Sequence, residues 1–247
     1  MSEEKMIECQ QVSFSYEPER PVVEDLSFHL HKGEAVGLIG ANGAGKSTIL
    51  KLMLGLLTPQ AGTIRIDGME LNRDNLATVR RKLGFVLQNS DNQMFMPTVA
   101  EDMMFGPLNY GMDRKEAEAK VDAVLEQLDL TDLKYRHNHR ISGGEKRMAA
   151  IATILAMDPE AVLMDEPSSA LDPCNRRTVI DTIRGMKQTR LITSHDLDMI
   201  LDTCERVILL DNGRIVADGG TEEILRDQAL LEAHRMELPF CYAGSRY

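Results

Sequence analysis

Three scarcities narrow the field. The chain holds four cysteines, Cys9, Cys174, Cys204 and Cys241, and none is spaced with another as C-x-x-C. Disulfide-framed domains and cysteine zinc sites are thereby set aside, and free thiols in a reducing compartment are expected. No window approaches the roughly 18 uninterrupted apolar residues of a membrane span, and the start, Met1-Ser2-Glu3-Glu4-Lys5, lacks the basic and apolar regions of a signal peptide. A soluble, cytosolic protein is the expectation, with any membrane role exercised through a partner. Basic residues are also short: 28 Lys+Arg against 39 Asp+Glu leave a formal net charge of −11, which argues against a broad nucleic-acid footprint.

What the chain does have starts with Gly40-Ala41-Asn42-Gly43-Ala44-Gly45-Lys46-Ser47, spaced G-x-x-x-x-G-K-S. Glycines let the N–H groups of such a loop turn inward as a cradle for nucleotide phosphates. Lys46 would reach the β- and γ-phosphates and the Ser47 hydroxyl would coordinate Mg²⁺. The apolar run Ala35-Val36-Gly37-Leu38-Ile39 precedes the loop, and residues 48–54 follow with helical spacing. Strand, loop and helix in this order place the helix N-terminus against the anion.

At 247 residues with 43% apolar content, the chain suits one large domain or one and a half. Residues 7–30 read as short antiparallel strands and residues 62–68 as another strand closed by a turn. Residues 88–157 change to helical spacing, with Val121, Val124, Leu125 and Leu128 on one face. Ala161-Val162-Leu163-Met164 is continuously apolar, as a parallel strand buried on both faces requires, and Arg190-Leu191-Ile192-Thr193 is the next strand. A hairpin is expected around Asn212-Gly213. The picture is a mostly parallel α/β core with a helical insertion and, after about Leu225, a tail that ends in Pro239-Phe240-Cys241-Tyr242.

Three motifs extend the chemistry. Asp165 and Glu166 end the apolar strand, where Asp165 would hold Mg²⁺ and Glu166 would act as general base toward water. Ile141-Ser142-Gly143-Gly144-Glu145 opens a helix. Ser142 and Glu145 form a capping box, but two glycines in a first turn cost roughly 1 kcal/mol each. They suggest that another molecule approaches this second anion-binding N-terminus, in two chains facing head to tail. His195 follows a strand at a point suited to contact a γ-phosphate. His137 and His139, without further ligands nearby, read as loop residues rather than a metal site.

The order phosphate loop, Gln88, Ile141–Glu145, Asp165-Glu166, Leu171-Asp172, His195 resembles the ATPase of the ATP-binding cassette family over residues 7–225. The resemblance implies a P-loop NTPase (RecA-like) core with an antiparallel β subdomain and an inserted helical subdomain. The ATPase domain would span residues 1–225, its helical part about 89–157, with a C-terminal tail at 226–247. The cofactors implied are ATP and Mg²⁺. Tyr16 would stack on adenine, and Gly40, Asn42, Gly43, Ala44, Gly45, Lys46, Ser47 and Thr48 of one subunit would face Ser142, Gly143 and Gly144 of the other. Ser47, Gln88 and Asp165 would hold the metal, Glu166, His195 and Gln88 would serve catalysis, and Ser169–Asp172 would run along the interface of a homodimer. The family more often has Leu and Gln where this chain has Ile141 and Glu145. Glu145, repelled by a partner's phosphate, is expected to fold back on its own cap.

A finer resemblance lies in residues 88–95 and in 99–111, with Phe105-Gly106-Pro107-Leu108-Asn109-Tyr110-Gly111, which are similar to the ATPases of energy-coupling-factor importers, especially the cobalt and nickel branch. That resemblance implies a transmembrane coupling protein and a substrate-capture membrane subunit as partners, no nucleic acid, and a peripheral place on the cytoplasmic face of a prokaryotic cell membrane. Asp91, Glu101 and Asp102 would receive basic helix tips of the coupling protein. The alternatives are a vitamin importer of the same type and a conventional ABC importer or exporter.

Overall fold

The computed structural model describes residues 4–244. The chain opens with two long antiparallel strands, β1 (Lys5–Glu17) and β2 (Arg20–His31), then β3 (Ala35–Ile39) and α1 (Lys46–Met53). It continues through β4 (Ala61–Ile66), β5 (Met69–Glu70), α2 (Leu76–Lys82) and β6 (Leu83–Val86). Helices α3 (Val99–Asn109), α4 (Arg114–Gln127) and α5 (Gly143–Leu155) follow. The last third alternates β7 (Ala161–Asp165), α6 (Pro173–Gly185), β8 (Thr189–Thr193), α7 (Leu197–Thr203), β9 (Arg206–Asp211) and β10 (Arg214–Gly220), ending in α8 (Thr221–Arg226) and α9 (Gln228–Ala233).

Two sheets result. The antiparallel one has the order β2-β1-β4-β5, and the larger one β10-β9-β3-β8-β7-β6, parallel except for the β9–β10 hairpin. Strands β3, β7 and β8 are buried at every residue, which is why β3 and most of β7 run apolar without alternation, while β8 also buries Thr189, Arg190 and Thr193. The parallel arrangement has one consequence for chemistry. It puts the carboxyl ends of β3, β6, β7 and β8 on one edge, and there emerge the phosphate loop, Gln88, Asp165-Glu166 and Ser194-His195.

Helices α3 to α5 form the expected insertion around Val99, Met103, Val121, Leu125, Ala149, Ala150 and Ala152. Helix α5 serves two cores, because Met148 and Ile151 on its other side join the cluster of Val162, Met164 and Val179 under the large sheet. Each insertion helix has an N-cap: Thr98 and Ser142 complete capping boxes with Glu101 and Glu145, and Asp113 accepts from the Lys115 N–H. Among the described residues, no helix is long and apolar enough to cross a membrane.

Some expectations need revision. Asp102 cannot receive a partner's basic tip: it is buried, accepts from the Phe95 and Met96 N–H groups at 3.1 Å, and is bonded by the Asn138 amide. Those two N–H groups and Asn138 need a buried acceptor, and burial raises the Asp102 carboxyl's affinity for a proton, with its hydrogen bonds opposing. Glu101 is committed to its capping box and Asp91 pairs with Lys146 of the same chain. In the tail, Tyr242 packs on the second core and under the Arg226 guanidinium at 4.7 Å, whereas Phe240 is exposed. The Phe240 and Cys241 N–H groups donate to Asp198 on α7.

Candidate functional site

A cavity of about 600 Å³ opens over the carboxyl edge of the large sheet. It is lined by Tyr16, Asn42 to Thr48, Gln88, Asp165, Glu166 and His195, among others. The structure therefore gathers stretches of the chain scattered from Tyr16 to His195. Its floor is the phosphate loop. Gly45 has φ +108°, and a Cβ there would stand 2.7 Å from the Val22 carbonyl, so glycine is required to close the loop under β2. As N-cap of α1, Gly45 offers no side-chain acceptor, and the first-turn N–H groups are left for an external anion.

Lys46 is buried. Its ammonium donates to the carbonyls of Gly40 at 2.7 Å and Ala41 at 3.3 Å, with His195 Nε2 at 3.4 Å. Burial pulls its proton affinity below that of an ordinary lysine, and the carboxylates of Glu166 and then Asp165 oppose that. An anion in the cavity would complete the compensation. The Ser47 hydroxyl lies 3.2 Å from Asp165 Oδ1, which the Thr193 hydroxyl also holds at 2.7 Å. Two hard oxygen donors fixed side by side fit a Mg²⁺ ion.

Glu166 sits in the left-handed region at φ +50°, with its N–H donating to the Thr193 carbonyl at 3.0 Å. Its carboxylate is held at one oxygen only: Oε2 accepts from the His195 N–H at 3.1 Å and the Ser194 hydroxyl at 3.4 Å. Oε1 is buried without a hydrogen-bond partner among the described residues, and His195 Nε2 stands 3.5 Å from it. A carboxylate anchored at one oxygen, the other left without a hydrogen bond, on a residue that lines the cavity suits the role of a base for water. At the rim, Tyr16 is exposed, meets Phe14 edge-to-face and places its hydroxyl 3.3 Å from Thr48 Oγ1.

Ser142, Gly143 and Gly144 are not part of this cavity. They form the N-terminus of α5, and a Cβ on Gly143 would meet nothing within 4 Å. Gly144 differs: a Cβ there would lie 2.0 Å from the Asn175 side chain of α6, so packing within the chain already requires a glycine at this position. Glu145 folds back as expected, accepting from the Ser142 N–H at 2.7 Å, and the bonds from Ser142 hold its carboxyl below the usual range. Asp172 caps α6 through the N–H groups of Cys174 and Asn175. Thr193 and Ser194, which hold Asp165 and Glu166, gave no functional signal in the sequence, since these partners lie far away along the chain, and Asn212, read as a hairpin turn, also lines the cavity.

A G-x-x-x-x-G-K-S loop, a strand-end Asp-Glu pair and a histidine beside them, on a mostly parallel sheet with a helical insertion, define an ATPase of the ATP-binding cassette class. Residues 23–169 match the family described as ABC transporter, and the chain belongs to it. It is 43% identical to a putative ABC transporter ATP-binding protein of Geobacter sulfurreducens, over 97% of this chain and 96% of that protein. It is 40% identical to the energy-coupling factor transporter ATP-binding protein EcfA of Methanothermobacter thermautotrophicus, over 95% of this chain and 77% of that one. Among solved structures, the cbiO1 protein of Clostridium perfringens, described as part of the cbiONQ ABC transporter complex, superposes with a TM-score of 0.84 at 27% identity, covering 94% of each chain. A dimeric ATP-binding cassette in a post-hydrolysis state with ADP and Pi gives 0.77 at 26% identity, covering 87% of this chain and 99% of that one. The chain is an ATP-binding, ATP-hydrolysing transporter subunit.

Proposed function

We propose that two copies of this chain power a membrane importer of the energy-coupling-factor type, with cobalt or nickel ions as cargo, from the cytoplasmic face. The observation that carries the two-chain reading is the position of Ser142-Gly143-Gly144, an open helix N-terminus outside the phosphate cavity of its own chain. ATP held on Gly40, Asn42 to Thr48 of one subunit, with Tyr16 on the adenine, meets Ser142 and Gly143 of the other. Nucleotide closes the pair, closure drives the membrane partner, and hydrolysis releases it. Glu166 takes the proton of the attacking water at Oε1, while His195 and Gln88 hold the γ-phosphate side. Mg²⁺, bound by Ser47, Asp165 and Gln88, would supply charge neutralisation on the phosphates.

The importer type rests on the segments 88–95 and 99–111 and on the similarity to EcfA and cbiO1. Beside Gln88 the first of these segments and α3 expose Phe95 and Phe105, packed edge-to-face at 4.9 Å, with Leu108 nearby on the same helix. Such an apolar patch suits a membrane partner's cytosolic helices. The test is affinity purification from detergent-extracted membranes with the co-purifying subunits identified by mass. A small coupling protein with a cobalt- or nickel-type capture subunit is expected. A conventional permease pair would refute the importer type and leave the ATPase untouched.

A further inference from the structure

His29 and His31 alternate with Leu30 on β2, so both project from the same face of the strand. Their Nε2 atoms lie 3.2 Å apart and the rings meet edge-to-face, with centroids separated by 4.8 Å. One Nε2 must donate and the other accept, and the surroundings decide which. His31 Nδ1 is buried without a hydrogen-bond partner among the described residues. A proton there would be a buried donor with no acceptor, which is rare and costly. The one proton of neutral His31 therefore belongs on Nε2, where it donates to His29 Nε2. His29 then carries its own proton on Nδ1.

The pair sits where the two sheets meet. Arg206 of β9 donates to the His29 carbonyl at 3.0 Å and to Glu34 Oε1 at 3.1 Å, and it forks onto Asp218 of β10. Glu34 Oε2 accepts from the His31 N–H at 2.8 Å, which closes a circuit through both histidines. On β1, Glu8 lies across from His29 and Lys5 across from His31; these two form an ion pair, and Arg65 of β4 stands 3.8 Å from Glu8. A further proton has two places to go. On His29 it must take Nε2, which breaks the bond between the rings; on His31 it must take the buried Nδ1. We propose that the His29–His31 pair is an acid-sensitive latch between the two sheets, closed while both rings are neutral and opened by one more proton. Burial holds the proton affinity of His29 below the ordinary histidine range; Arg206, His31 and Lys5 push the same way, and Glu34 opposes them. In the unfolded chain that ring takes its proton near pH 6.5, about the ordinary histidine value. Below that point the unfolded state binds more protons, so stability present above it is lost as the pH falls. Val22 of the same strand backs Gly45 of the phosphate loop, so what loosens β2 reaches the nucleotide cavity.

The test compares the full chain with His29→Gln, whose amide oxygen still accepts from His31 but takes no proton. Both are melted thermally at about pH 7.5 and about pH 5.5, the interval in which a histidine titrates. The unaltered chain is expected to lose about 2–4 °C more than the variant between those two conditions. Equal losses in the two chains overturn the proposal. A long-range proton–nitrogen correlation spectrum of the imidazoles gives a second reading, on the unaltered chain alone. At the higher pH, His29 is expected to carry its proton on Nδ1 and His31 on Nε2, and on acidification His29 is expected to titrate below about 6.5. A proton on His31 Nδ1, or a His29 midpoint at or above that value, overturns the proposal as well. If His29→Gln does not fold, the spectrum decides by itself.

Discussion

Glu166→Gln is expected to cut phosphate release by about 10²–10⁴-fold, the range that a general base contributes, while ATP binds as in the unaltered chain. The amide retains the shape of the carboxylate and an acceptor for the His195 N–H and Ser194 hydroxyl, so the turn at φ +50° is kept. What disappears is the basicity of Oε1, the one oxygen of this side chain left without a hydrogen bond. Single-turnover hydrolysis and equilibrium nucleotide binding, measured on the same preparation, separate the two effects. Rapid hydrolysis by the variant would remove Glu166 from its role.

Lys46→Ala acts one step earlier. Hydrogen bonds from a charged donor contribute roughly 1.5–3 kcal/mol each, so losing this ammonium is expected to weaken ATP binding by at least ten-fold and to leave little hydrolysis. The side chain has a second duty in the structure, since it bonds the Gly40 and Ala41 carbonyls across its own loop. Part of the loss will therefore come from a slack loop. Titration with a fluorescent ATP analogue gives the affinity, and thermal melting without nucleotide gives the loop's share. Unchanged ATP affinity would contradict the phosphate-cradle assignment.

The legible parts of this molecule were those with local causes. The fully buried strands β3 and β7 announce themselves as apolar runs, the hairpin by Asn212-Gly213, and α5 by its capping box. The glycine loop could be read because backbone conformation there depends on residue type alone. Tertiary ties were hidden. The short strand β6 and helix α7 have little periodic signal in four and seven residues, and they form because the sheet and the cores accept them. Asp102 was read as a surface charge, and nothing in its neighbours reveals that Asn138 and two N–H groups claim it in the interior. The two glycines of the α5 N-terminus looked equivalent, yet Asn175, thirty-one residues beyond Gly144, takes the space next to one of them.

That difference between the glycines supplies the most direct test of two chains closing on ATP. Sedimentation velocity of the Glu166→Gln chain, with and without Mg·ATP, compares its mass with that of a second chain also carrying Gly143→Arg. The space around Gly143 is open, so the arginine leaves the fold intact and stands on the face that a partner's nucleotide must reach. The Glu166→Gln chain is expected to double in mass when ATP is added, and the Gly143→Arg chain to bind ATP yet stay single. Equal dimerisation of both chains, or a Glu166→Gln chain that stays single with ATP bound, would contradict the head-to-tail site.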